Sequence, residues 1–309
     1  MEFQFLEFVE RITGKAIFAV AIPYQRRLQI DLLAFANQIE RLKQLGVEAF
    51  AVGKSSGLYT LSEPEVVQLT AMIRLVVKDQ AIVLMPLRTS MFEVADTYFR
   101  DSGADGVLVM DPSIAATDDD LIRYYRAIAT RLPGVPAVIY KTGALPTVEA
   151  IKKLIDSGTI AGVKWGPNAG KVADFSDLVY NNPMISWQAA CGEASNSYYS
   201  SAHCWWSGGG VVTSDWTLAQ INALVSNDLG RVLQIANHLK AFDEFRMKYK
   251  DGLCNIGAIY TALEIMGNPI GQPRPPIHQL ILEEHSKLAD ILWSMQENEG
   301  GLKLLLERP

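Results

Sequence analysis

Short apolar runs rich in valine, isoleucine and alanine recur along the chain, each bounded by glycine, proline or a polar residue. Their hydrophobicity is continuous rather than alternating, which is typical of strands that are buried on both faces in a parallel sheet. The pattern predicts eight strands, at residues 16–22, 47–52, 81–87, 106–110, 136–140, 160–165, 185–190 and 210–213.

Segments with helical periodicity separate these strands. Residues 31–45 carry apolar side chains every three or four positions on one helical face, and Gly46 follows as a residue suited to a helix C-terminus. Ser62 and Ser90 each precede a glutamate by three residues, which is the pattern of a capping box. Thr117 precedes three aspartates, whose charge favours a helix N-terminus. Strand and helix thus alternate eight times.

This alternation, in units of roughly 25 to 35 residues, leaves two folds of the α/β class: an open doubly wound sheet or a closed (β/α)8 barrel. Eight units favour the barrel, the TIM-barrel fold. Beyond residue 226 the pattern turns purely helical, with helices predicted at residues 229–248, 253–266 and 277–295. We therefore predict a catalytic barrel over residues 1–226 and a C-terminal helical appendage over residues 227–309.

The composition, with 49% hydrophobic and 20% charged residues, is that of an ordinary globular chain. The 28 basic and 34 acidic side chains give a formal charge of −6 without a dense basic block, which disfavours nucleic acid or a membrane as a partner and leaves a small molecule as the expected ligand. The three distant cysteines indicate neither a disulfide framework nor a zinc site. The N-terminus lacks the features of a secretory signal, so we expect a cytoplasmic protein.

Candidate chemistry lies at the C-terminal ends of the strands, where barrels of this kind carry their functional side chains. Lys164 ends an apolar strand, where burial would lower its pKa and free the amine to condense with a ketone as a Schiff base. Tyr140 ends the preceding strand, where its phenol could transfer a proton. From spacing alone, a solvated lysine and a half-buried packing tyrosine are open alternatives.

Five segments, in order along the chain, resemble the dihydrodipicolinate synthase and N-acetylneuraminate lyase family of class I, Schiff-base-forming lyases. They are residues 52–57 with 60–62, 138–140, 162–164, 208–214 and 273–277. The resemblance implies a covalent imine at Lys164, with Tyr140 as general acid and base and with no further cofactor and no metal. It also implies a homo-oligomer, a dimer or a tetramer.

The same resemblance implies the substrate-binding residues. An alignment of the first segment without a gap places Lys54 and Ser55 on the family's two threonines, and a one-residue shift places Ser55 and Ser56 there. Either alignment leaves hydroxyl and N–H donors for the carboxylate of a 2-oxo acid. Gly192, after the seventh predicted strand, and Val212, in the eighth, complete the expected contacts.

The chain departs from the family pattern where synthases bind their second substrate. The loop after Tyr140 is short and lacks the arginine that would hold a semialdehyde carboxylate, and the segment around Asp111 lacks the family's paired tyrosines. We therefore expect pyruvate or a 2-keto-3-deoxy sugar acid as the substrate, with Arg88, Lys141 or Glu193 near its distal part. Aldol cleavage, aldol addition and dehydration all stay open.

Two other functions are compatible with the sequence. A metal-dependent aldolase would use carboxylates such as Asp111 and Glu193 to coordinate a divalent ion, and a degenerate barrel would bind a 2-oxo acid without turnover. We interpret the four histidines as helix-face residues rather than metal ligands. Residues 208–210 could in principle bind a phosphate, since barrel phosphate sites lie near the last strands. Because they precede the eighth predicted strand, we favour a turn on the bottom face of the barrel.

Overall fold

A computed structural model describes residues 5–112, 114–166, 169, 187–191 and 202–297 of the chain, with residues 187–191 described by their backbone. Within these residues, eight parallel strands close into a barrel in chain order, and the last strand pairs with the first. The predicted (β/α)8 fold is confirmed. The strands are β1 (Ala16–Ala19), β2 (Ala49–Ala51), β3 (Ile82–Leu87), β4 (Gly106–Val109), β5 (Ala137–Lys141), β6 (Gly162–Trp165), β7 (Trp187–Cys191) and β8 (Cys204–Ser207).

Seven of the strands overlap the predicted apolar runs, and the eighth does not. The prediction of a strand at residues 210–213 is wrong, because β8 ends at Ser207 and Trp205 and Trp206 pair with β1. The run after β8 instead folds into a turn in which the Gly209 carbonyl accepts the Val212 N–H at 2.9 Å. Its valines are buried in this turn, so their hydrophobicity reports burial and not strand structure.

Ten helices are found in the described part of the chain. They are α1 (Leu6–Ile12), α2 (Leu32–Gln44), α3 (Glu63–Val77), α4 (Ala95–Ser102), α5 (Asp118–Arg131), α6 (Val148–Asp156), α7 (Ser214–Val225), α8 (Leu229–Met247), α9 (Asn255–Ile265) and α10 (Leu282–Glu297). None of these described helices is both long and apolar enough to cross a membrane.

The capping signals are confirmed at three of the predicted helix ends. Gly46 follows α2 with φ of +94°, Ser62 and Glu65 form a reciprocal capping box at α3, and Thr117 caps α5. The capping box predicted at Ser90 is wrong, since residues 89–94 form a 3-10 helix and α4 begins afterwards without a side-chain cap. The glutamate of that motif pairs instead with an arginine of α5.

The C-terminal region contains the three predicted helices, α8, α9 and α10. The first two lie within two residues of their predicted limits, whereas α10 begins at Leu282 and not at residue 277. The intervening segment is rich in proline, which lacks the N–H that a helix needs. His238 and His285 lie on helices as predicted, but His203 precedes β8 and is not on a helix. The division of the chain at residue 226 stays a prediction.

Candidate active site

Lys164 lies on β6 directly beside Tyr140 on β5, because the register of the two strands pairs these residues. The Lys164 side chain is buried, with 5% of its surface exposed. Its Nζ lies 4.2 Å from the centre of the Tyr140 ring. The two residues that the sequence indicates for catalysis are therefore brought together near the C-terminal ends of their strands.

Trp206 on β8 is a third member of this group, and the sequence analysis missed it. Its ring centre lies 4.0 Å from Lys164 Nζ, so the amine stands against two aromatic faces. A cation over such a face is attracted by the negative charge of the ring's π system. A correct assignment of the eighth strand to residues 204–207 would have found Trp206, because this residue lies one position before the end of that strand.

A cavity opens beside Lys164, and the turn after β2 contributes Lys54 and Ser55 to its lining. Ser56 is not among the described residues that line the cavity. It is fully buried, and its hydroxyl accepts a hydrogen bond from the Gly53 N–H at 3.1 Å. The turn thus presents Lys54 and Ser55 to the cavity and uses Ser56 to hold its own shape, which corresponds to the alignment without a gap.

Gly208 and Gly209 follow β8 directly and line the same cavity, so the prediction of a bottom-face turn is wrong. Arg246, near the end of α8, is buried against both glycines. It also lines the cavity, although no motif in the sequence indicated this residue. The helical C-terminal region thereby reaches the site that the barrel strands form.

The last two expected contacts are Val212 and Gly192. Val212 is buried in the turn between β8 and α7 and is not among the described residues that line the cavity. Gly192 and Glu193 lie outside the described residues. Neither Val212 nor Gly192 is therefore placed at the cavity by the structure.

A family comparison decides to which class of barrels the chain belongs. The model of the dihydrodipicolinate synthetase family matches residues 13–295, which is most of the barrel and of the C-terminal helices. The chain belongs to this family. The resemblance that the five sequence segments indicate is thereby confirmed.

Relatives of the chain in this family are distant. A 4-hydroxy-tetrahydrodipicolinate synthase from Parasynechococcus marenigrum (strain WH8102) is 25% identical over 306 residues, covering 92% of this chain and 96% of that protein. A protein described as an uncharacterized DapA-like lyase, from Thermococcus onnurineus (strain NA1), is 28% identical over 156 residues, covering 48% of this chain and 53% of that protein. The chain is thus a divergent family member.

Solved structures of dihydrodipicolinate synthases share the fold. The enzyme from Oceanobacillus iheyensis has a TM-score of 0.86 at 22% identity and covers 95% of this chain and 100% of its own. The enzyme from Bacillus clausii has a TM-score of 0.85 at 19% identity and covers 93% of this chain and 99% of its own. At such identities the likeness supports the barrel architecture alone.

In this member of the dihydrodipicolinate synthetase family, the lysine after Tyr140 forms hydrogen bonds within its own loop. Lys141 is buried, and its ammonium donates hydrogen bonds to the carbonyls of Gly143 at 2.6 Å and Ala144 at 2.8 Å. It also lies 5.3 Å from the centre of the Trp165 ring. These contacts hold the short loop in shape, and Lys141 is not among the described residues of the cavity lining.

Two further candidate residues also make structural contacts: Arg88, expected near the distal part of the substrate, and Asp111, considered as a ligand of a divalent ion. Arg88 donates a hydrogen bond to the Leu61 carbonyl at 2.9 Å, which ties the end of β3 to the segment before α3. Asp111, after β4, accepts a hydrogen bond from the Thr142 hydroxyl. Within the described lining of the cavity, neither Arg88 nor Asp111 is present.

Three residues with metal-ligating donor atoms meet at the N-terminal ends of α9 and α10, apart from the described cavity lining. The donor atoms of Cys254, His278 and Glu284 are within 4.8 Å of one another. The Glu284 carboxylate bonds with Lys250 Nζ at 2.6 Å, His278 Nε2 at 2.7 Å and the Ile281 N–H at 3.0 Å. Burial alone would raise the pKa of Glu284, but these bonds hold the pKa at about 2. His278 lies in the loop before α10, so its prediction as a helix-face residue is wrong.

Proposed function

We propose that this chain is a Schiff-base-forming lyase that acts on a 2-oxo acid, either pyruvate or a 2-keto-3-deoxy sugar acid. The observation that carries the proposal is the placement of Lys164. Its amine is buried near the end of a barrel strand, lies against Tyr140 and Trp206 and lines a cavity with Lys54 and Ser55. Membership of the dihydrodipicolinate synthetase family supports this reading.

The reaction begins when the neutral amine of Lys164 attacks the C2 carbonyl carbon of the acid. The carbinolamine that forms loses water, and a protonated imine results. This imine carries its positive charge on the former Nζ, so the aromatic faces that lie against the ammonium also stabilise the imine. The positive nitrogen accepts the electron pair released at C3, either when the C3–C4 bond breaks or when a C3 proton leaves before hydroxide departs from C4.

Tyr140 is the proposed proton carrier. Its phenol stands on the strand next to Lys164 and would donate a proton to the departing carbinolamine hydroxyl, then take one from the C4 hydroxyl during cleavage. Lys54 and Ser55 would bind the substrate carboxylate at the turn after β2. The imine itself is the only electron sink that this mechanism needs.

Borohydride trapping tests the proposal. The full chain is incubated with pyruvate and sodium borohydride, and intact mass and peptide mapping locate the adduct. We expect one reduced pyruvate on the peptide that contains Lys164, with turnover of a sugar acid insensitive to a chelator. Turnover that a chelator abolishes, without an adduct, would instead indicate a metal-dependent aldolase. Binding of pyruvate without turnover of any substrate would indicate a degenerate, ligand-binding barrel.

The placement of carboxylates supports the imine over a metal-dependent reaction. Asp111 already accepts a hydrogen bond from the Thr142 hydroxyl. The group formed by Cys254, His278 and Glu284 lies at the N-terminal ends of α9 and α10 and not in the described lining of the cavity. A metal site beside Lys164 would need carboxylates facing the cavity, and the described lining supplies one, Asp243.

A further inference from the structure

We propose that Arg246 joins Lys54 and the hydroxyl of Ser55 in binding the C1 carboxylate of the 2-oxo acid. This inference rests on the proposed function and adds a residue from the helical C-terminal region to the substrate site. We call Arg246, Ser55, Gly208 and Gly209 the carboxylate subsite.

The position of Arg246 is the first argument. The residue is 3% exposed, and its side chain reaches from α8 to the end of β8, where it lines the cavity that also contains Lys164. Its Nη2 donates a hydrogen bond to Asn255 Oδ1 at 3.0 Å, and its Nη1 lies 3.5 Å from Asp243 Oδ1. These two contacts fix the plane of the guanidinium. An arginine held in this way is preorganised for two parallel hydrogen bonds to a carboxylate.

The two glycines after β8 are the second argument. A β-carbon on Gly209 would stand 2.3 Å from Arg246 Nη1, so the guanidinium occupies space that any side chain there would fill. A β-carbon on Gly208 would stand 2.6 Å from Ser55 Oγ and 3.2 Å from Arg246 Nη2. The hydroxyl and the guanidinium therefore converge on one point at the top of β8, which is the arrangement that a carboxylate with two oxygens requires.

The charge of the cavity is the third argument. In the described part of its lining, the basic residues are Lys54, Lys164 and Arg246, and Asp243 is the acidic residue. Such a cavity favours an anion, and a guanidinium removed from water interacts with one more strongly than a surface arginine does. Where the family pattern has two threonines, this chain has Lys54 and Ser55, and Arg246 supplies a donor fork that the altered turn lacks.

A purely structural role is the competing explanation, since Arg246 also joins α8 to α9 through Asn255. The two roles differ in their dependence on the substrate carboxylate. Loss of a carboxylate contact weakens the binding of an acid and leaves a neutral ketone unaffected. Loss of a structural contact alters the binding of both kinds of ligand together.

The experiment compares borohydride trapping by pyruvate and by hydroxyacetone, a neutral ketone without the carboxylate. For Arg246→Gln we expect the half-saturating pyruvate concentration to rise roughly 10- to 100-fold, as for the loss of a charge-assisted hydrogen bond, with hydroxyacetone trapping unchanged. Arg246→Lys keeps a cation but loses the guanidinium's paired donors, so its half-saturating pyruvate concentration should fall between those of the wild type and Arg246→Gln. If Arg246→Gln does not fold, Arg246→Lys takes its place in the experiment. Arg41→Gln is the matched control, because this half-buried arginine donates to the Val211 carbonyl outside the described cavity lining.

Two results would overturn the inference. Parallel losses of trapping with pyruvate and hydroxyacetone in both Arg246 variants would assign the residue a structural role. Equal calorimetric affinity of the wild type and the Arg246 variants for pyruvate, without borohydride, would exclude a carboxylate contact. The calorimetry also separates the two proposals: if the wild type forms no adduct but binds pyruvate in an Arg246-dependent way, the imine is refuted and the carboxylate subsite is supported.

Discussion

Lys164 places one buried amine against two aromatic rings. Its side chain is 5% exposed, and its Nζ lies 4.2 Å from the ring centre of Tyr140 and 4.0 Å from that of Trp206. The proposed reaction needs a neutral amine as the nucleophile and passes through a positively charged imine. The two ring faces would stabilise that charged imine once it has formed.

Replacement of Lys164 tests this assignment most directly. Lys164→Ala should abolish the pyruvate adduct, and Lys164→Arg should fail to restore it, because a guanidinium stays protonated and cannot attack a carbonyl. Both are measured by borohydride trapping and peptide mapping. An undiminished adduct in Lys164→Ala would show that another residue is the nucleophile.

Replacement of Tyr140 by phenylalanine tests the proton transfer. The ring that lies against Lys164 is kept and the hydroxyl is lost, so we expect kcat to fall by roughly 10² to 10⁴ while pyruvate binding persists. Steady-state kinetics with the best substrate, beside calorimetry with pyruvate, give the two quantities. A wild-type kcat would assign Tyr140 to packing.

Among the residues of the candidate site, the sequence predicts those on consecutive strands and misses those that distant segments contribute. The adjacency of Tyr140 and Lys164 follows from strand order, since consecutive strands of such a barrel lie side by side. Trp206 was missed because an apolar glycine-rich turn resembled the eighth strand. Arg246 was missed because the periodicity of a helix does not show that one of its arginines is buried or that two distant glycines pack against it.

Among the elements, the start of α10 depends on one ionised carboxylate. Glu284 is fully buried and has a pKa of about 2, below the ordinary value of 4.5. A group whose pKa is lower in the folded state stabilises the fold above its unfolded pKa. That stabilisation is lost as the pH falls from about 4.5 towards 2.

We therefore expect Glu284→Gln to lower the free energy of unfolding at pH 7 and to reduce its decrease between pH 4.5 and pH 2. Urea denaturation of both proteins across this range measures the effect. Glu283→Gln, at the exposed neighbouring position of the same helical turn, is the control and should leave the pH dependence unchanged. Equal pH profiles for wild type and Glu284→Gln would refute the assignment.

Element boundaries were predictable where a single local contact sets them. The capping box at Ser62 is such a contact, because both partners lie within four residues. The same pattern does not form a capping box at Ser90, where Glu93 pairs with Arg131, 38 residues further along the chain, at the end of α5. At Ser90 the glutamate has a distant partner that the local pattern does not reveal.

For the molecule as a whole, the loop after Tyr140 bears on the choice of the second substrate. The loop after Tyr140 contains no arginine, and Lys141 donates its hydrogen bonds to carbonyls of that same loop. A charge-assisted hydrogen bond contributes roughly 1.5 to 3 kcal/mol. The binding of aspartate semialdehyde should therefore be weaker by that amount than in a synthase whose loop carries the arginine. We expect higher kcat/KM for 2-keto-3-deoxy sugar acids, measured over a panel of both classes. A kcat/KM for pyruvate with aspartate semialdehyde well above that for every sugar acid would show that the chain is a synthase.

The barrel itself was predictable because eight repeats of one local pattern specify it. Each repeat needs a buried strand and an amphipathic helix, and both leave a periodic signature in the sequence. The contacts of α8 with the cavity carry no such signature. They depend on how a helix beyond the last repeat packs on the barrel, and only the three-dimensional structure contains that information.

The pairing of β1 with β8 has a consequence for folding during translation. Ala16 pairs with Trp205, so one edge of the first strand has no partner until almost two thirds of the chain has been synthesised. At roughly 5 to 20 residues per second, this edge stays unpaired for about 10 to 40 s. An open strand edge is a template for association with other chains. Incomplete polypeptides that stop before β8 should therefore be the form of this protein that most requires chaperones during translation.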